Sequence, residues 1–521
     1  MERAPFYQEV NKAFQNTSKV LFGQSIGELK EFDNYLSETM NPYDSYESKL
    51  SGKEVIVNSY YPEDAAFISA DEVAALKRQQ VDINSIKDID SLVEAVKDTF
   101  AYSGNQMFGL NSNLWLTTAI TDSHYIIKSH NVVKTKYASN CCYTRECSHI
   151  FGLIGNPYSE YTIRCSMGGH LKRCFEAYSC DGCSDLYYCF RCDGSTDCMF
   201  SFGFMGGRYV IGNNHLTREQ YLELKAKLVN EIAEELKTKK QLPSILDLPQ
   251  HYGFVNNARQ DEERLEFEEC QPAINEAFGK TSRVILGESL SPMQEHKEWL
   301  YGINLFDLKK IRAAFGMASM KHSYGGFKKL HPERLVQEEE FFNIAKRAHL
   351  SKSNKSLEEV MHELAKIIYF TCSFTVTPSS NIVDTPYSLC CNDMYVAIGV
   401  QAKYVAFAVG IKCNYVFGGL GRIVQSNFDI NCYDSVNITR CFESDASYNS
   451  SDLYYCHNCE NVNNAIFSFN IKNKQYAVGN TMVGKEQFLR TKKILLDYVL
   501  ERIKTKDKVS ELHLFSVPKW R

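Results

Sequence analysis

The feature that most constrains the fold of this chain is a set of short strings that occur twice at a nearly constant offset in the numbering. The string from Asn11 to Ser25 returns from Asn275 to Ser289, an offset of 264. Four further string pairs share an offset of 267; they begin at Arg173 and Arg440, Ser184 and Ser451, Tyr209 and Tyr476, and Glu219 and Glu486. Such agreement indicates an internal duplication, so the chain is predicted to contain one module twice.

Each copy is predicted to contain helices before and after a region of short repeats. Apolar residues at three- and four-residue spacing predict helical stretches over 70–102 and 338–370. Closing helices are predicted at 218–239, where Thr217 and Gln220 form a capping box, and at 485–504. The predicted division is 1–110, helix-rich; 111–240, repeats and closing helix; 241–262, linker; 263–380, helix-rich; 381–508, repeats and closing helix; and 509–521, a C-terminal tail.

The short repeats are marked by cysteine. Ten of the 19 cysteines fall between Cys141 and Cys198, and nine of these ten stand at positions divisible by three. Small residues also recur every nine positions; these series are Cys165, Cys174, Cys183, Cys192 and Ser201, then Cys180, Cys189 and Cys198, and in the second copy Cys432, Cys441, Ser450, Cys459 and Ser468. A small residue that returns at a fixed interval is typical of a β-solenoid, here with turns of about 18 residues and each series stacked in one interior column.

The predicted fold class is therefore α+β: an internally duplicated module, each copy with helices and a cysteine-rich β-solenoid closed by a C-terminal helix. The odd cysteine count favours reduced thiols over disulfides. The net charge of −5, without a basic cluster, makes a nucleic-acid partner unlikely. Since no run of about 18 apolar residues is free of charge, no membrane span is expected.

A metal site is the alternative interpretation of the cysteines. Cys180, Cys183, Cys189 and Cys192 could supply four thiolates to a tetrahedral zinc ion. However, Ser447 and Ser450 replace the first pair in the second copy, which a packed column tolerates and a zinc site does not. Packing is therefore favoured, with no metal and no cofactor expected.

The end of the second copy resembles a known group of proteins. Its Cys456-His457-Asn458-Cys459 run, Asn473-Lys474-Gln475-Tyr476 element and Lys485-Glu486-Gln487-Phe488 helix start are similar to cysteine-rich short-repeat proteins of tailed phages and uncultured bacteria. The resemblance covers roughly 140–235 and 410–505. The first copy departs from it with Gly207-Arg208-Tyr209. The resemblance implies the repeat architecture and a phage-like context, and it carries no activity.

No motif for catalysis or nucleotide binding is present, so the chain is predicted not to be an enzyme. His170, His215 and His457 lie near the repeats without counterparts in the other copy, and scattered solvated histidines are the expected interpretation. The tail after the last helix has no partner in copy one, and it is expected to bind a neighbouring subunit through Leu512, Phe515 and Trp520.

These observations predict a structural assembly protein, expected to be a phage virion component associated with capsid, neck or tail. Its partners would be other virion or assembly subunits, including copies of itself, without a membrane. It would lie in the virion after assembly in the host cytoplasm, or otherwise in the cytoplasm. The alternative function is a cytosolic metal- or ligand-binding protein, which includes an enzyme that acts on nucleic acid.

Overall fold

The structure is a computed structural model in which helices and strands are mixed, as the α+β prediction requires. It describes residues 1–41, 43–58, 61, 65–76, 80–256, 262–264, 272–296, 299–300, 309–312, 314–316, 318–321, 325–351, 355–372, 374–376, 380–383, 387–389, 392–395, 416–418, 430, 439–506 and 509. The chain forms two compact units. The first contains 1–42, 106–265 and 307–373, and the second contains 43–105, 266–306 and 374–521.

The first unit combines a long run of strands with helices from three parts of the chain. Its helices are Tyr7–Phe22, Leu29–Phe32, Asp33–Ser37, Arg218–Lys239, Leu248–His251, Ala314–Gly316, Gly325–Lys329, Pro332–Arg334, Glu338–Arg347 and Leu357–Ile367. Its strands are Met107–Phe108, Ser112–Thr121, His124–Val133, Lys136–Ser139, Cys142–Arg145, Ser148–Phe151, Glu160–Ile163, Lys172–Tyr178, Ser184–Phe190, Thr196–Phe202, Arg208–Ile211, Asn214–His215, Glu262–Arg264, Lys309–Arg312 and Ala318–Lys321.

The second unit has the same kinds of element. Its helices are Ala70–Ala75, Ile83–Ser85, Ile89–Val96, Lys97–Thr99, Pro272–Leu286, Met293–His296 and Lys485–Thr505. Its strands are Asp44–Glu47, Glu54–Val57, Ala66–Ser69, Ala101–Gly104, Phe374–Val376, Ser380–Val383, Tyr387–Leu389, Asn392–Tyr395, Phe442–Asp445, Ser451–His457, Glu460–Ile466, Lys472–Val478 and Thr481–Met482.

The predicted closing helices are confirmed. One runs from Arg218 to Lys239 after a Thr217 cap paired with Gln220, and the other spans Lys485–Thr505. The stretch 338–370 is helical in two pieces, as Glu338–Arg347 and Leu357–Ile367. The prediction for 70–102 is wrong in part, since its only described α-helix is Ile89–Val96. That stretch ends instead in a strand whose residues are almost all apolar or small and fully buried.

Two sheets are built from parallel strands that follow one another in sequence. We call the strands between Met107 and His215 the first stack and those between Phe442 and Met482 the second stack. In the first stack from Ser112 onward, and throughout the second, parallel partners stand twelve positions apart, as Ser184 and Thr196 do. Only the last pair of each stack is antiparallel among the described strands.

Within both stacks nearly every third residue points inward and is buried; Leu114, Phe204, Lys474 and Asn480 are partly exposed. The residue before each inward position adopts a left-handed conformation, with φ of 55° at Asn140 and 51° at Asn458. Glycine and asparagine tolerate this region best. They fill many of these positions; examples are Asn140, Gly152, Gly155, Gly182 and Gly194 in the first stack, and Asn449, Asn458, Asn461 and Asn470 in the second.

The twelve-residue register corrects the prediction of 18-residue turns and of single nine-residue columns. Cys165, Cys174, Cys183 and Cys192 lie in four different columns, because residues in one column differ by twelve. Cys189, for example, stands beside Ala177 on one side and Ser201 on the other. The nine-residue interval instead relates two inward residues within a stack, as where the Cys165 thiol donates to the Cys174 carbonyl and the Cys183 thiol to the Cys192 carbonyl. Cys432 lies outside the described residues.

A helix packs on each stack through equivalent contacts. The Tyr187 hydroxyl donates to the Leu21 carbonyl at 2.6 Å, and the Tyr454 hydroxyl donates to the Ile285 carbonyl at 2.9 Å. The offset between the two tyrosines is 267, and that between the two acceptors is 264. The same pairs of positions therefore meet in both units.

The predicted linker at 241–262 is wrong over its first part. Leu242, Ile245 and Leu248 are buried, and the Ser244 hydroxyl donates to the Glu176 carboxylate at 2.9 Å. Apolar side chains fix this segment onto the first unit. The contiguous division of the chain is also corrected, because each unit takes three separate segments. No described helix has both the length and the apolar character needed to cross a bilayer.

Candidate functional site

The four cysteines of the alternative metal site lie inside the first stack. Cys180, Cys183, Cys189 and Cys192 are at most 3% exposed, and each thiol donates to backbone carbonyls. Burial raises the thiol pKa of all four, to about 11 for Cys189. Zinc binds thiolates, and a raised pKa opposes their formation. No group of three or more His, Cys, Asp or Glu among the described residues is arranged to hold a metal ion.

Serine makes the same hydrogen bonds in the second stack. The Cys183 thiol donates to the Asp181 carbonyl and to the Cys192 carbonyl nine residues ahead. The Ser450 hydroxyl, in the matching position, donates to the Tyr448 carbonyl at 2.9 Å and to the Cys459 carbonyl at 3.4 Å. Both side chains are therefore small donors that satisfy backbone carbonyls inside a stack.

The second unit contains a buried polar network that the sequence analysis missed. His457 ends the strand Ser451–His457, and its neighbour in the preceding turn is Asp445. The Nδ1 atom of His457 lies 2.8 Å from Oδ2 of Asp445. Both residues are at most 1% exposed. The interpretation of His457 as a scattered, solvated histidine is thus wrong.

Two residues from a distant part of the sequence complete this network. The backbone N–H of Ser103 donates to Nε2 of His457 at 2.9 Å, and the Ser103 hydroxyl oxygen lies 3.3 Å from the same atom. The Tyr61 hydroxyl donates to Oδ2 of Asp445 at 2.7 Å. We call Tyr61, Ser103, Asp445 and His457 the histidine network. The ring of Tyr102 packs edge-on against His457, with centroids 5.3 Å apart.

The histidine network contains the residue types of a Ser-His-Asp catalytic triad, but its geometry does not activate the serine. The Nε2 lone pair already accepts the backbone N–H of Ser103, so it is not free to take the hydroxyl proton. This bond also assigns the neutral tautomer, in which Nδ1–H donates to Asp445. Ser103 is 1% exposed, so a substrate cannot reach its hydroxyl. The network holds the strand Ala101–Gly104 against the second stack.

The matching position in the first unit is apolar. Phe190 corresponds to His457 and Phe370 corresponds to Ser103, each pair at the offset of 267. The two phenylalanine rings meet edge-on with centroids 5.0 Å apart, and Phe341 packs on Phe190 at 5.7 Å. Tyr178 replaces Asp445. Equivalent positions thus carry an aromatic contact in one unit and a polar network in the other.

A cleft of about 990 Å³ lies in the first unit and is rich in carboxylates. These carboxylates are Glu38, Glu231, Glu234, Glu235, Asp247 and Glu358. Burial acts to raise the pKa of Glu38, but Arg164 and Lys329 outweigh it and lower that pKa. Glu234 and Glu235 pair with lysines of their own helix. Since most of these groups are already in ion pairs, the cleft does not present an assembled reactive set.

The predicted interaction residues Leu512, Phe515 and Trp520 lie outside the described residues. His170 and His215, the other two histidines near the repeats, lie in the first stack, where His170 is exposed and its ring stacks on Tyr158 at 4.9 Å. No family model, curated protein or solved structure matches this chain.

Proposed function

We propose that this chain is a structural assembly protein, a phage virion component that acts through protein–protein contacts. The observation that carries the proposal is the regular twelve-residue register of two stacks whose inward side chains are nearly all apolar residues, thiols and small hydroxyls. Such an interior gives a stiff frame without a reactive group. The resemblance to short-repeat proteins of tailed phages supports the virion context.

The proposal includes a finer interpretation of the fold. Each stack is a β-solenoid with twelve-residue turns and four inward positions per turn, and the two solenoids arose by duplication. Matched contacts support this. The Oδ1 atom of Asn213 accepts from the backbone N–H of Phe202, and its Nδ2 atom donates to the Phe202 carbonyl. Asn480 makes the same two hydrogen bonds with Phe469. These pairs again share the offset of 267.

The chemistry of the interior supports a role without catalysis. Burial raises the pKa of the described thiols for which a shift is resolved, and this disfavours the nucleophilic thiolate. Ser103, which lies beside a histidine in a triad-like arrangement, is held by its backbone N–H. The partners in this proposal are other virion subunits and copies of this chain.

The test is removal of the C-terminal tail. Val509 is 4% exposed, so the deletion should begin after it and span 510–521. We expect Tm to stay within a few degrees of the full chain while particle formation, followed by sedimentation and electron microscopy, is lost. A Trp520→Ala change alone should weaken association roughly 30-fold, because a buried interface tryptophan contributes about 2 kcal/mol or more.

The control replaces residues 510–521 by a Gly/Ser segment of equal length, which keeps the chain length and removes the apolar side chains. It should behave like the deletion. Full assembly of the truncated chain would contradict the proposed contact, and a large fall in Tm would show that the tail packs on its own chain.

A further inference from the structure

The two copies exchange a segment. Residues 43–105, the first crossing segment, lie between a helix and a stack of the first unit in sequence, yet they belong to the second unit. Residues 307–373, the second crossing segment, come from the second copy and belong to the first unit. Each copy therefore supplies part of the unit built on the other copy's stack.

The first crossing segment is held on the second stack by direct hydrogen bonds. The backbone N–H of Val81 donates to the Thr481 hydroxyl at 2.9 Å. The Asn470 side chain donates to the Ala101 carbonyl at 2.6 Å. Residues with no charge make these contacts, the first partly buried and the second fully buried, so they depend on close fit.

The second crossing segment is held on the first stack at corresponding positions. The backbone N–H of Leu350 donates to the Gly212 carbonyl at 2.9 Å, and the Asn213 side chain donates to the Ala345 carbonyl at 3.0 Å. Gly212 corresponds to Gly479, and a Cβ atom at Gly479 would meet Val96 of the first crossing segment at 2.6 Å. Both stacks thus receive a crossing segment at the same place.

The same backbone pairing occurs inside both crossing segments. Ile68 pairs with Ser103 in parallel, and Leu335 pairs with Phe370 in parallel at the offset of 267. The strand that contacts the stack is therefore equivalent in the two units. What differs is its chemistry, which is Ser103 in one crossing segment and Phe370 in the other.

We propose that the difference between Ser103 and Phe370, which we call the recognition code, makes the two halves of the chain, 1–256 and 262–521, specific partners of each other. In the exchanged arrangement Phe370 meets Phe190, and Ser103 meets His457. Were each segment to lie on its own stack, Phe370 would meet His457 and Ser103 would meet Phe190.

The mismatched arrangement is unfavourable for a physical reason. Phe370 would bring its ring against Nε2 of His457, and Asp445 would lose the Tyr61 hydroxyl, since Tyr61 lies on the first crossing segment. Removal of one of the donors to a buried carboxylate is destabilising, even though Asp445 would still accept from Nδ1–H of His457. On the first stack, Ser103 would leave a void beside Phe190 that Phe370 now fills. This inference does not depend on the proposed role in assembly.

Cleavage of the full chain tests the partnership. A protease recognition sequence is placed between Asn256 and Glu262, and the purified protein is cut, denatured and refolded. We expect one complex that contains both halves in equal amounts and elutes like the uncut protein. Homodimers of either half, or separated halves, would overturn the proposal.

Cross-linking tests the exchange without unfolding, and so decides the case if refolding fails. In the cleavable chain, a Val81→Cys/Thr481→Cys pair treated with a short thiol cross-linker should join the two halves on a denaturing gel after cutting. Asn214 holds the position of Thr481 in the first stack. Val81 and Asn214 both lie in 1–256, so a link between them in the matched Val81→Cys/Asn214→Cys protein is detected as a cross-linked peptide by mass spectrometry. Efficient linkage there, with no joining of the halves in the first pair, would overturn the exchange.

Substitution of Ser103 tests the specificity in the uncut chain. Ser103→Phe should lower Tm by roughly 5 °C or more, because the ring meets His457. Addition of His457→Ala should make this loss smaller, whereas addition of Phe190→Ala should leave it unchanged. The reverse pattern, in which only Phe190→Ala changes the effect, would place Ser103 on its own stack and contradict the code.

Discussion

His130 lies in the first unit with its ring fully buried, edge-on to Tyr143. Its Nε2 atom is 3.3 Å from the Asn41 carbonyl oxygen. Burial lowers the pKa of His130 to about 4, since the charged imidazolium loses its hydration. In the unfolded chain the same group titrates near 6.5.

The folded state should therefore lose stability as the pH falls through this window. Below pH 6.5 the unfolded chain takes up a proton that folded His130 does not bind until about pH 4. The contribution is fully present above pH 6.5, and about 3 kcal/mol is lost by pH 4. His130→Phe should remove this part of the slope in denaturant titrations at several pH values, with His170→Phe, at an exposed ring, as control. An unchanged slope in His130→Phe would contradict the assignment.

At the same scale, the sequence allowed only some of the residue roles to be predicted. The presence of Ser450 at the position that matches Cys183 predicted packing, and in the structure both side chains donate to the same kinds of carbonyl. The histidine network was not predictable. Asp445 and His457 stand twelve positions apart, which becomes meaningful only once the register is known, and Ser103 is 354 residues from His457.

Glycine substitution can test the residues of the stacks that have a left-handed backbone conformation. Lys134 is exposed and has φ of 46°, whereas Lys136 is exposed on the strand Lys136–Ser139 with ordinary extended backbone. Lys134→Gly should raise the free energy of unfolding by about 0.5–1 kcal/mol, because glycine adopts positive φ without steric strain. Lys136→Gly should lower it by a similar amount. Chemical denaturation of both variants checks this, and equal signs for the two changes would contradict the three-residue pattern.

The elements show why the repeat was predicted and its length was not. Cysteine at positions divisible by three correctly marked inward residues, because every third residue of both stacks points inward. In the proposed solenoid, the length of a turn is set by how many inward positions fit around the interior. Because small residues occupy several columns at once, the sequence is equally compatible with repeat lengths of nine, twelve and eighteen residues. Only the backbone pairing, such as Ser184 with Thr196, decides it.

At the scale of the whole molecule, the repeated strings predicted equivalent positions and could not predict which unit a segment would join. An offset of 264 to 267 is the same whether 43–105 packs on its own stack or on the other. Tyr187 and Leu21 both lie in residues 1–256, whereas Ser103 and His457 come from different halves of the chain. The side chains that contact each other are apolar in one unit and polar in the other. This difference, and not the offset, determines which unit a segment joins.

The zinc content of the whole molecule distinguishes a structural protein from a metal-binding protein. If packing is correct, the purified chain should contain well under one zinc per molecule by elemental analysis, and a chelator should leave Tm unchanged. A tetrathiolate site would give at least one zinc in the first unit and a large loss of stability on chelation.

A double variant makes this test independent of how the protein is purified. Cys180→Ser/Cys183→Ser reproduces Ser447 and Ser450 of the second stack, so the free energy of unfolding should fall by about 1 kcal/mol or less. Cys183→Leu should lower it by about 1–3 kcal/mol, because the larger side chain overfills a closed column. A zinc site would respond in the opposite order of severity, since two serines remove half of its ligands. Stable bound zinc that disappears in the double variant, together with a collapse of its Tm, would therefore replace the structural proposal with the metal-binding one.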